Sequence, residues 1–216
     1  MSFDHWYLSR SRILSRASCC SRQFSPHLEV KNLKGVVFRQ FLEFSEREFG
    51  EAVIDELLNT TELASGGVYT NVGYYDHSEM IALVTALSNR TGTSARALLV
   101  KFGQNLFPSL IAGHPQDGVT HAFDLIEQIH GVIHRDVKKL YPDAEVPDIR
   151  PSMRNGNDEM RITYDSARPM ADLCEGMIMA ALDHYDDLED FEISRTDSKH
   201  RYLYNADFHI IRRNGC

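Results

Sequence analysis

The stretch from Thr120 to Pro147, THAFDLIEQIHGVIHRDVKKLYPDAEVP, decides how the rest of the chain is interpreted. Its apolar side chains recur at steps of three, four and seven residues, at Phe123, Ile126, Ile133, Val137 and Leu140. That spacing is typical of one face of an amphipathic helix. Thr120 is the predicted N-cap, and Pro142 is predicted to end the helix. This helix carries two histidines, His130 and His134, on or beside its apolar face.

The composition of the whole chain is that of an ordinary globular domain. It has 216 residues, 43% of them hydrophobic, which is enough for one well-buried core. It has no continuous apolar run of about 18 residues, so we expect no membrane span. A formal net charge of −8 argues against nucleic acid as a partner. The four cysteines form no disulfide framework and no CxxC pair, so we expect a reducing, cytoplasmic location.

Residues 1–32 differ from the rest of the chain because they are rich in Ser and Arg and lack hydrophobic periodicity. Asp4 and Glu29 are the acidic residues of this segment. We expect a disordered leader or an upstream extension that results from a misassigned start. An organelle transit peptide, which is also basic and poor in acidic residues, is the alternative. The folded domain is predicted to span residues 33–212.

The order of the predicted elements indicates the fold class. An apolar run at residues 33–38 leads into helices, and alternating strand patterns begin near residue 158. The predicted helices cover about 41–58, 80–88, 93–106 and 169–185, with a capping box at Asp76 and Glu79 and with Pro108 beyond a helix end. The predicted strands lie at about 160–164, 191–194 and 202–211. This order predicts an α+β fold, with a helical N-terminal part packed on a C-terminal antiparallel sheet with helices.

Three polar residues at the end of a predicted strand form a candidate binding site. Tyr164, Ser166 and Arg168 are spaced at i, i+2 and i+4, so an extended chain would place them on one face. Two hydroxyls and a guanidinium suit a ligand with flexible anionic arms, because the guanidinium binds carboxylate or phosphate in a planar fork. The alternative is a solvated strand end whose arginine pairs with a nearby acidic residue.

The two histidines also allow more than one interpretation. A histidine on an apolar helix face is often a core residue bonded to the backbone, yet neutral imidazole is also a common ligand for zinc, copper and haem iron. His130 and His134 have the i, i+4 spacing of HExxH zinc sites, but the intervening Gly-Val-Ile supplies no glutamate base. A haem needs an axial ligand and donors for two propionates. His134 could supply the first and the polar cluster at the strand end the second.

Two segments of this chain closely resemble the haem NO/O2-binding (H-NOX) family, which is related to the sensor domain of soluble guanylate cyclase. They are HRDVKKLYPDAEVP, from His134 to Pro147, and YDSAR, from Tyr164 to Arg168. The similarity runs from the Leu-Lys-Gly at residues 33–35 to about Arg212 and is greatest to the stand-alone bacterial branch. It implies a haem b buried between the helical part and the sheet.

The resemblance also implies roles for individual residues. The proximal iron ligand of the family stands seven residues before a Tyr-Pro pair, a position that His134 occupies here. The Tyr-x-Ser-x-Arg motif binds the haem propionates, and Tyr164, Ser166 and Arg168 match it. A proline that presses on the macrocycle and distorts it corresponds to Pro147.

Gas selectivity is predicted from the distal side. Oxygen-binding members of the family supply a tyrosine five residues beyond the arginine, and Leu173 stands there in this chain. Phe41 matches another distal-wall position and also offers no donor. The sequence therefore resembles members that bind NO and CO and discriminate against O2. A donor from elsewhere, Tyr69 or Tyr74, is the alternative that we keep open.

The function implied by the resemblance is a non-catalytic switch. NO binding would weaken the bond between iron and His134 and let the macrocycle relax against Pro147, and a partner would recognise the changed surface. In similar bacterial proteins that partner is a histidine kinase or a cyclic-di-GMP enzyme, either a diguanylate cyclase or a phosphodiesterase. Two alternatives remain open from sequence: a metal-dependent enzyme that uses His130 and His134, and a haem storage or scavenging protein.

Overall fold

The computed structural model describes residues 32–112, 116–129, 139, 146–186, 188–200 and 203–213. The predicted leader up to residue 31 lies outside these ranges, and so do His130, His134, Tyr141 and Pro142. Asn32, which the predicted boundary places in the leader, is the first residue of strand β1.

The N-terminal half is helical. Its elements are β1 (Asn32–Lys34), α1 (Gly35–Phe49), α2 (Glu51–Thr60), β2 (Tyr74–Asp76), α3 (His77–Thr91) and α4 (Ala95–Ile111). The single helix predicted near 41–58 is wrong, because the chain breaks at Gly50, whose φ of 90° is incompatible with a helix. Strands β1 and β2 pair antiparallel, with Lys34 opposite Tyr74. Gly35 follows β1 at a close approach, since a Cβ there would lie 2.0 Å from the Thr70 carbonyl oxygen.

The ends of α3 and α4 follow the predicted signals only in part. The Asp76 carboxylate accepts a hydrogen bond from the Ser78 N–H at 2.7 Å, so it is the N-cap of α3. The Glu79 carboxylate, however, accepts from the hydroxyl of Tyr69 at 2.9 Å, so the predicted capping box is only half formed. Helix α4 continues past Pro108 to Ile111, contrary to the predicted end near residue 106. A proline this close to the helix end removes one hydrogen bond while the apolar face still packs.

The C-terminal half contains the four-stranded sheet. Its elements are α5 (Ala122–Gln128), β3 (Asp148–Asn155), β4 (Glu159–Ser166), α6 (Ala171–Tyr185), a short 3-10 helix (Leu188–Asp190), β5 (Phe191–His200) and β6 (Leu203–Arg212). The strand order is β3-β4-β6-β5, and all neighbours are antiparallel. The alternation predicted in β4 is confirmed, with Met160, Ile162 and Tyr164 all buried. Helix α6 begins two residues later than predicted.

The start of α5 differs from the predicted N-cap at Thr120. The helix begins at Ala122, and His121 is its N-cap. The Asp124 carboxylate accepts from the backbone N–H groups of Thr120 and His121 at 3.1 and 3.0 Å. The Asp186 carboxylate, at the end of α6, accepts from the Ala122 N–H at 3.1 Å. The backbone N–H groups at the start of α5 are therefore hydrogen-bonded both by Asp124 of the same helix and by Asp186 at the end of α6.

Helices α4 and α6 cross between two hydrophobic clusters. One cluster is built by α1 to α4, and the other by α5, α6 and the inner face of the sheet. The helices touch backbone to backbone, since a Cβ on Gly176 would lie 2.0 Å from the Val100 carbonyl oxygen. The fold is the predicted α+β arrangement. Within the described residues, no helix has the length and apolar character to cross a bilayer.

Candidate haem site

A cavity of about 410 Å³ lies where the two hydrophobic clusters meet, and we call it the central cavity. Its wall is mainly apolar and comes from the β1–β2 pair, α1, α4, α5, α6, the residues preceding β3, and the inner face of β3 and β4. The apolar lining consists of Leu33, Val36, Val37, Leu106, Phe107, Leu110, Ile111, Ile126, Ile129, Val146, Pro147, Ile149, Ile162, Met170, Leu173, Met177, Ile178 and Ala181. A largely apolar wall with a few polar groups is typical of a cofactor site.

The polar lining of the cavity includes the three residues predicted from the strand end. Tyr164 and Ser166 lie on the inner face of β4, and Arg168 lies two residues beyond the end of the strand. Their relative exposures are 2%, 4% and 4%, so the alternative of a solvated strand end is wrong. The Ser166 hydroxyl accepts from the Arg168 N–H at 3.1 Å. The Arg168 guanidinium donates to the Asn32 carbonyl oxygen at 2.5 Å, which ties the cluster to β1.

The electrostatics of this cluster suit an anion. Burial raises the pKa of Tyr164 well above its ordinary value, so its hydroxyl remains a neutral donor at physiological pH. A guanidinium stays charged in proteins, and a charge buried this deeply is stable only with compensating partners. A ligand carboxylate beside Arg168 would accept charge-assisted hydrogen bonds from its guanidinium. The residues present therefore fit the carboxylate end of a haem.

The other predicted site residues are placed differently. Pro147 and Leu173 line the central cavity together with the polar cluster. Phe41 is fully buried in the helical cluster, with its ring centroid 5.2 Å from that of Phe102, and it is not among the cavity-lining residues. Its assignment to the distal wall stays a prediction. His134 lies outside the described residues.

The two tyrosines kept as alternative donors are distinguished by their contacts. The Tyr69 hydroxyl donates to Glu79, and its ring stacks on Phe38 at 4.4 Å, away from the cavity lining. Tyr74 does line the cavity, and the Lys34 ammonium lies 4.3 Å from its ring centroid. Tyr74 therefore lies beside β1 at the polar end, where Arg168 reaches Asn32.

Three polar residues of the cavity wall were missed from sequence: Asn32, Lys34 and Asn71. They belong to the short β1–β2 pair and the turn before it. Three-residue strands have no measurable periodicity, so no local pattern could identify them. The Leu-Lys-Gly sequence at residues 33–35, where the family resemblance begins, was the signal in the sequence that pointed to this part of the wall.

Comparison with known proteins identifies the family. Residues 34–195 match the haem-NO-binding family. The chain belongs to this family. Its members bind haem, and the central cavity is the candidate site for it in this chain. Among curated proteins, none gives a significant match.

Solved structures of H-NOX proteins have the same fold. The solution structure of the H-NOX protein from Shewanella woodyi in the Fe(II)CO state is 39% identical over 84% of this chain and 95% of that chain, with a TM-score of 0.67. The crystal structure of the Fe(II) unliganded H-NOX protein from K. algicida is 26% identical over 85% and 98%, with a TM-score of 0.68. The protein from S. oneidensis in the Fe(II)NO state, at 24% identity over 84% and 100% with a TM-score of 0.69, supports the fold alone.

Cys174 is the one thiol that lines the central cavity among the described residues. Complete burial raises its pKa to about 12, so it is a neutral thiol at physiological pH. A neutral thiol is a poor nucleophile and a poor metal ligand. In this H-NOX domain it acts as a small apolar wall group.

Proposed function

We propose that this H-NOX protein binds NO and CO at a ferrous haem whose axial ligand is His134, discriminates against O2, and regulates a partner signalling enzyme. Haem-based gas sensing follows from the family. The observation that carries the proposal is the buried cluster of Tyr164, Ser166 and Arg168 at the polar end of an otherwise apolar cavity. When bound, the haem supplies the iron that coordinates the gas.

The chain's own residues orient the cofactor. Arg168 would bind one propionate through a charge-assisted hydrogen bond, and the hydroxyls of Tyr164 and Ser166 would donate to the carboxylates. Because β4 and the turn after it fix the positions of all three side chains, the macrocycle would bind in one orientation. Pro147, in the cavity wall, is the residue that we propose to press on the macrocycle.

Discrimination against O2 is proposed from the wall at Leu173. Bound O2 carries partial negative charge and gains from a hydrogen-bond donor, whereas NO depends on one far less. Leu173 offers no donor, is 8% exposed and lines the cavity at the start of α6. Tyr69, the first alternative donor, is engaged by Glu79. These contacts support NO and CO as the ligands of this domain.

We propose a regulatory and not a catalytic role, in the cytoplasm. The partner class proposed is a histidine kinase or a cyclic-di-GMP enzyme, a diguanylate cyclase or phosphodiesterase. A test is co-purification and activity measurement of a candidate kinase or cyclase with the Fe(II) and Fe(II)NO forms of the protein. Equal kinase or cyclase activity with both forms would contradict regulation by NO.

The experiment that tests the function is an absorption spectrum of the reduced protein under argon, air, CO and NO. We expect shifted Soret bands with CO and NO and an unchanged spectrum in air. In His134→Gly, haem binding should be lost and should return when imidazole is added, because free imidazole can replace the missing side chain. Full haem retention in that variant without imidazole would reject His134 as the ligand.

We also propose that the haem domain begins one residue before the predicted boundary of 33–212, at Asn32, and that residues 1–31 are dispensable. The described fold begins at Asn32, whose carbonyl accepts from Arg168. A chain that starts with Met followed by Asn32 should therefore retain full haem content and thermal stability. A loss of either would assign the preceding segment a structural role.

A further inference from the structure

The two edges of the four-stranded sheet differ in how they are protected from another strand. Strand β3 forms one edge, and Pro151 interrupts it beside an irregularity in the pairing between Pro151 and Met153. A proline lacks the N–H that an added strand would need, and a bulge bends the edge, so both features oppose the addition of a strand. Strand β5 forms the other edge, contains no proline and pairs with β6 without a break from Phe191 to His200. The edge of β5 is therefore the one that is open to another strand.

One side of β5 carries backbone groups that β6 does not bind. The Arg213 N–H donates to the Asp190 carbonyl oxygen at 2.6 Å, one position beyond the opposed pair of Phe191 and Arg212. Because bonded and non-bonded pairs alternate in an antiparallel ladder, the even-numbered residues of β5 are those that bond β6. The odd-numbered residues direct their N–H and C=O groups away from the sheet, and we call four of them the free edge: Ile193, Arg195, Asp197 and Lys199. Among the described residues, no other backbone segment bonds these groups.

We propose that the free edge binds the free edge of a second copy of this chain, so that the two four-stranded sheets join into one. A two-fold axis perpendicular to the sheet relates the two strands and makes them antiparallel. The core-facing sides of both copies then lie on the same side of the joined sheet. Since side chains alternate along each strand, the numbers of two opposed residues must sum to an even number. The dimer is independent of haem binding, because no residue of β5 lines the central cavity.

The charges of the strand select one of the allowed registers. An axis at Arg195 would place two guanidinium groups opposite each other, and an axis at Asp197 would do the same with two carboxylates. Like charges directly opposite each other destabilise a sheet, whereas opposite charges stabilise it. An axis at Thr196 places Arg195 opposite Asp197 of the second copy and Ile193 opposite Lys199. With the symmetric copies these are four bonded pairs, and two hydrogen bonds in each pair give about eight across the axis.

The side chains of the central pair are available for this contact. The Arg195 guanidinium already donates to its own Asp197 carboxylate at 2.9 Å, and the Asp197 side chain is 56% exposed. In the dimer each guanidinium would lie between its own carboxylate and that of the second copy. Axes farther along the strand, at Ser194 or Ser198, leave fewer residues of β5 paired. The axis at Thr196 therefore combines the longer pairing with favourable charges.

The first test is sedimentation velocity of the full chain over a range of protein concentrations. The wild type should change from monomer to dimer as the concentration rises. Asp197→Lys places a like charge opposite Arg195 in two symmetric pairs, so the dissociation constant of the dimer should rise about tenfold or more. Asp207→Lys is the matched control, because Asp207 is exposed on β6, opposite Thr196 within one copy but away from the edge. Its dissociation constant should be that of the wild type. A wild type that stays monomeric at every concentration, or equal dissociation constants in the two variants, would overturn the proposal.

The second test reads the register from a disulfide. In the dimer Thr196, which is exposed, faces itself in a non-bonded pair, whose Cα atoms lie about 4.5 Å apart and within disulfide range. Thr196→Cys should therefore form a cross-linked dimer under mild oxidation, above the background that the native cysteines give in the wild type. Ser194→Cys, on the same face, places its two thiols about 14 Å apart along the strands and should stay at that background.

A mixture of Ser194→Cys with Ser198→Cys should restore the cross-link, because the axis at Thr196 makes these two positions face each other. Cross-linking of Thr196→Cys at the background level would overturn the dimer. Equal cross-linking of Thr196→Cys and Ser194→Cys would overturn the register, since it would show random collision of exposed thiols.

Discussion

Replacing Arg168 with methionine removes a buried charge from the polar end of the central cavity, where we propose that haem binds, while keeping an unbranched side chain. The guanidinium is 4% exposed and donates to the Asn32 carbonyl oxygen, so it is held in place before any ligand binds. Its hydrogen bond to a propionate would be charge-assisted, and bonds of this kind contribute about 1.5–3 kcal/mol. The affinity for haem should therefore fall about 10- to 150-fold.

The assay is the rate at which the ferric holoprotein transfers its haem to an excess of apomyoglobin. We expect faster transfer from Arg168→Met than from the wild type. Arg161→Met is the matched control, because Arg161 lies on the same strand β4 but is exposed and does not line the cavity. Its transfer rate should be that of the wild type.

Haem dimethyl ester separates a propionate contact from a general loosening of the fold. Esterification removes the negative charge that Arg168 is proposed to bind, so the effect of Arg168→Met should largely vanish with the ester. The wild type and the variant, each loaded with haem or its ester, form a double-mutant cycle whose coupling measures the contact. A coupling energy of zero, with equal effects on both cofactors, would refute the assignment of Arg168.

Three further substitutions test the cavity wall at Leu173 and the framework of helices around the central cavity. Leu173→Tyr places a hydroxyl donor at the cavity wall, and we expect a stable oxy spectrum in air; an unchanged deoxy spectrum would contradict the selectivity argument. Partial burial acts to raise the pKa of Asp124, but hydrogen bonds from Arg154 and from backbone N–H groups lower it from 3.8 to about 2. Asp124 therefore contributes stability above pH 3.8, and this contribution is lost as the pH falls towards 2. Asp124→Asn should lower the unfolding free energy at pH 7 by about 2 kcal/mol. The unfolding free energy of the variant should also depend less on pH in the acid range. Gly176→Ala places a methyl group within 2.0 Å of the Val100 carbonyl oxygen. Urea unfolding should therefore show that the free energy of unfolding falls by about 1–3 kcal/mol or more. An unchanged unfolding midpoint would contradict the close crossing of α4 and α6.

The elements that sequence predicted correctly have signals that act within a few residues. Asp76 begins α3 because its carboxylate caps the helix start. The alternation in β4 was equally local. Gly50 and Pro108 were misread because each has two outcomes: a glycine can continue or break a helix, and a late proline can end one or remain inside it.

The candidate site was predictable only where it follows the strand period. Tyr164 and Ser166 share a face of β4 because side chains alternate along a strand. Arg168 lies beyond the strand, and its partner carbonyl at Asn32 is 136 residues away in sequence. A contact between residues so far apart in sequence depends on how the two halves of the chain pack together. A local sequence pattern cannot predict that packing. Phe41 was assigned by resemblance alone, and the cavity lining does not include it.

The eight residues from Ser166 to Leu173 bring two separable properties of the proposed sensor together. Arg168 is proposed to act on cofactor retention through a propionate, and its carbonyl accepts a hydrogen bond from the Met170 N–H in the turn that leads into α6. Leu173, near the start of α6, is proposed to act on the equilibrium between gases. Since we expect the two residues to change different observables, haem transfer and O2 affinity assign a defect in this segment to one of them. A substitution that changed both together would instead indicate that the turn between β4 and α6 had moved.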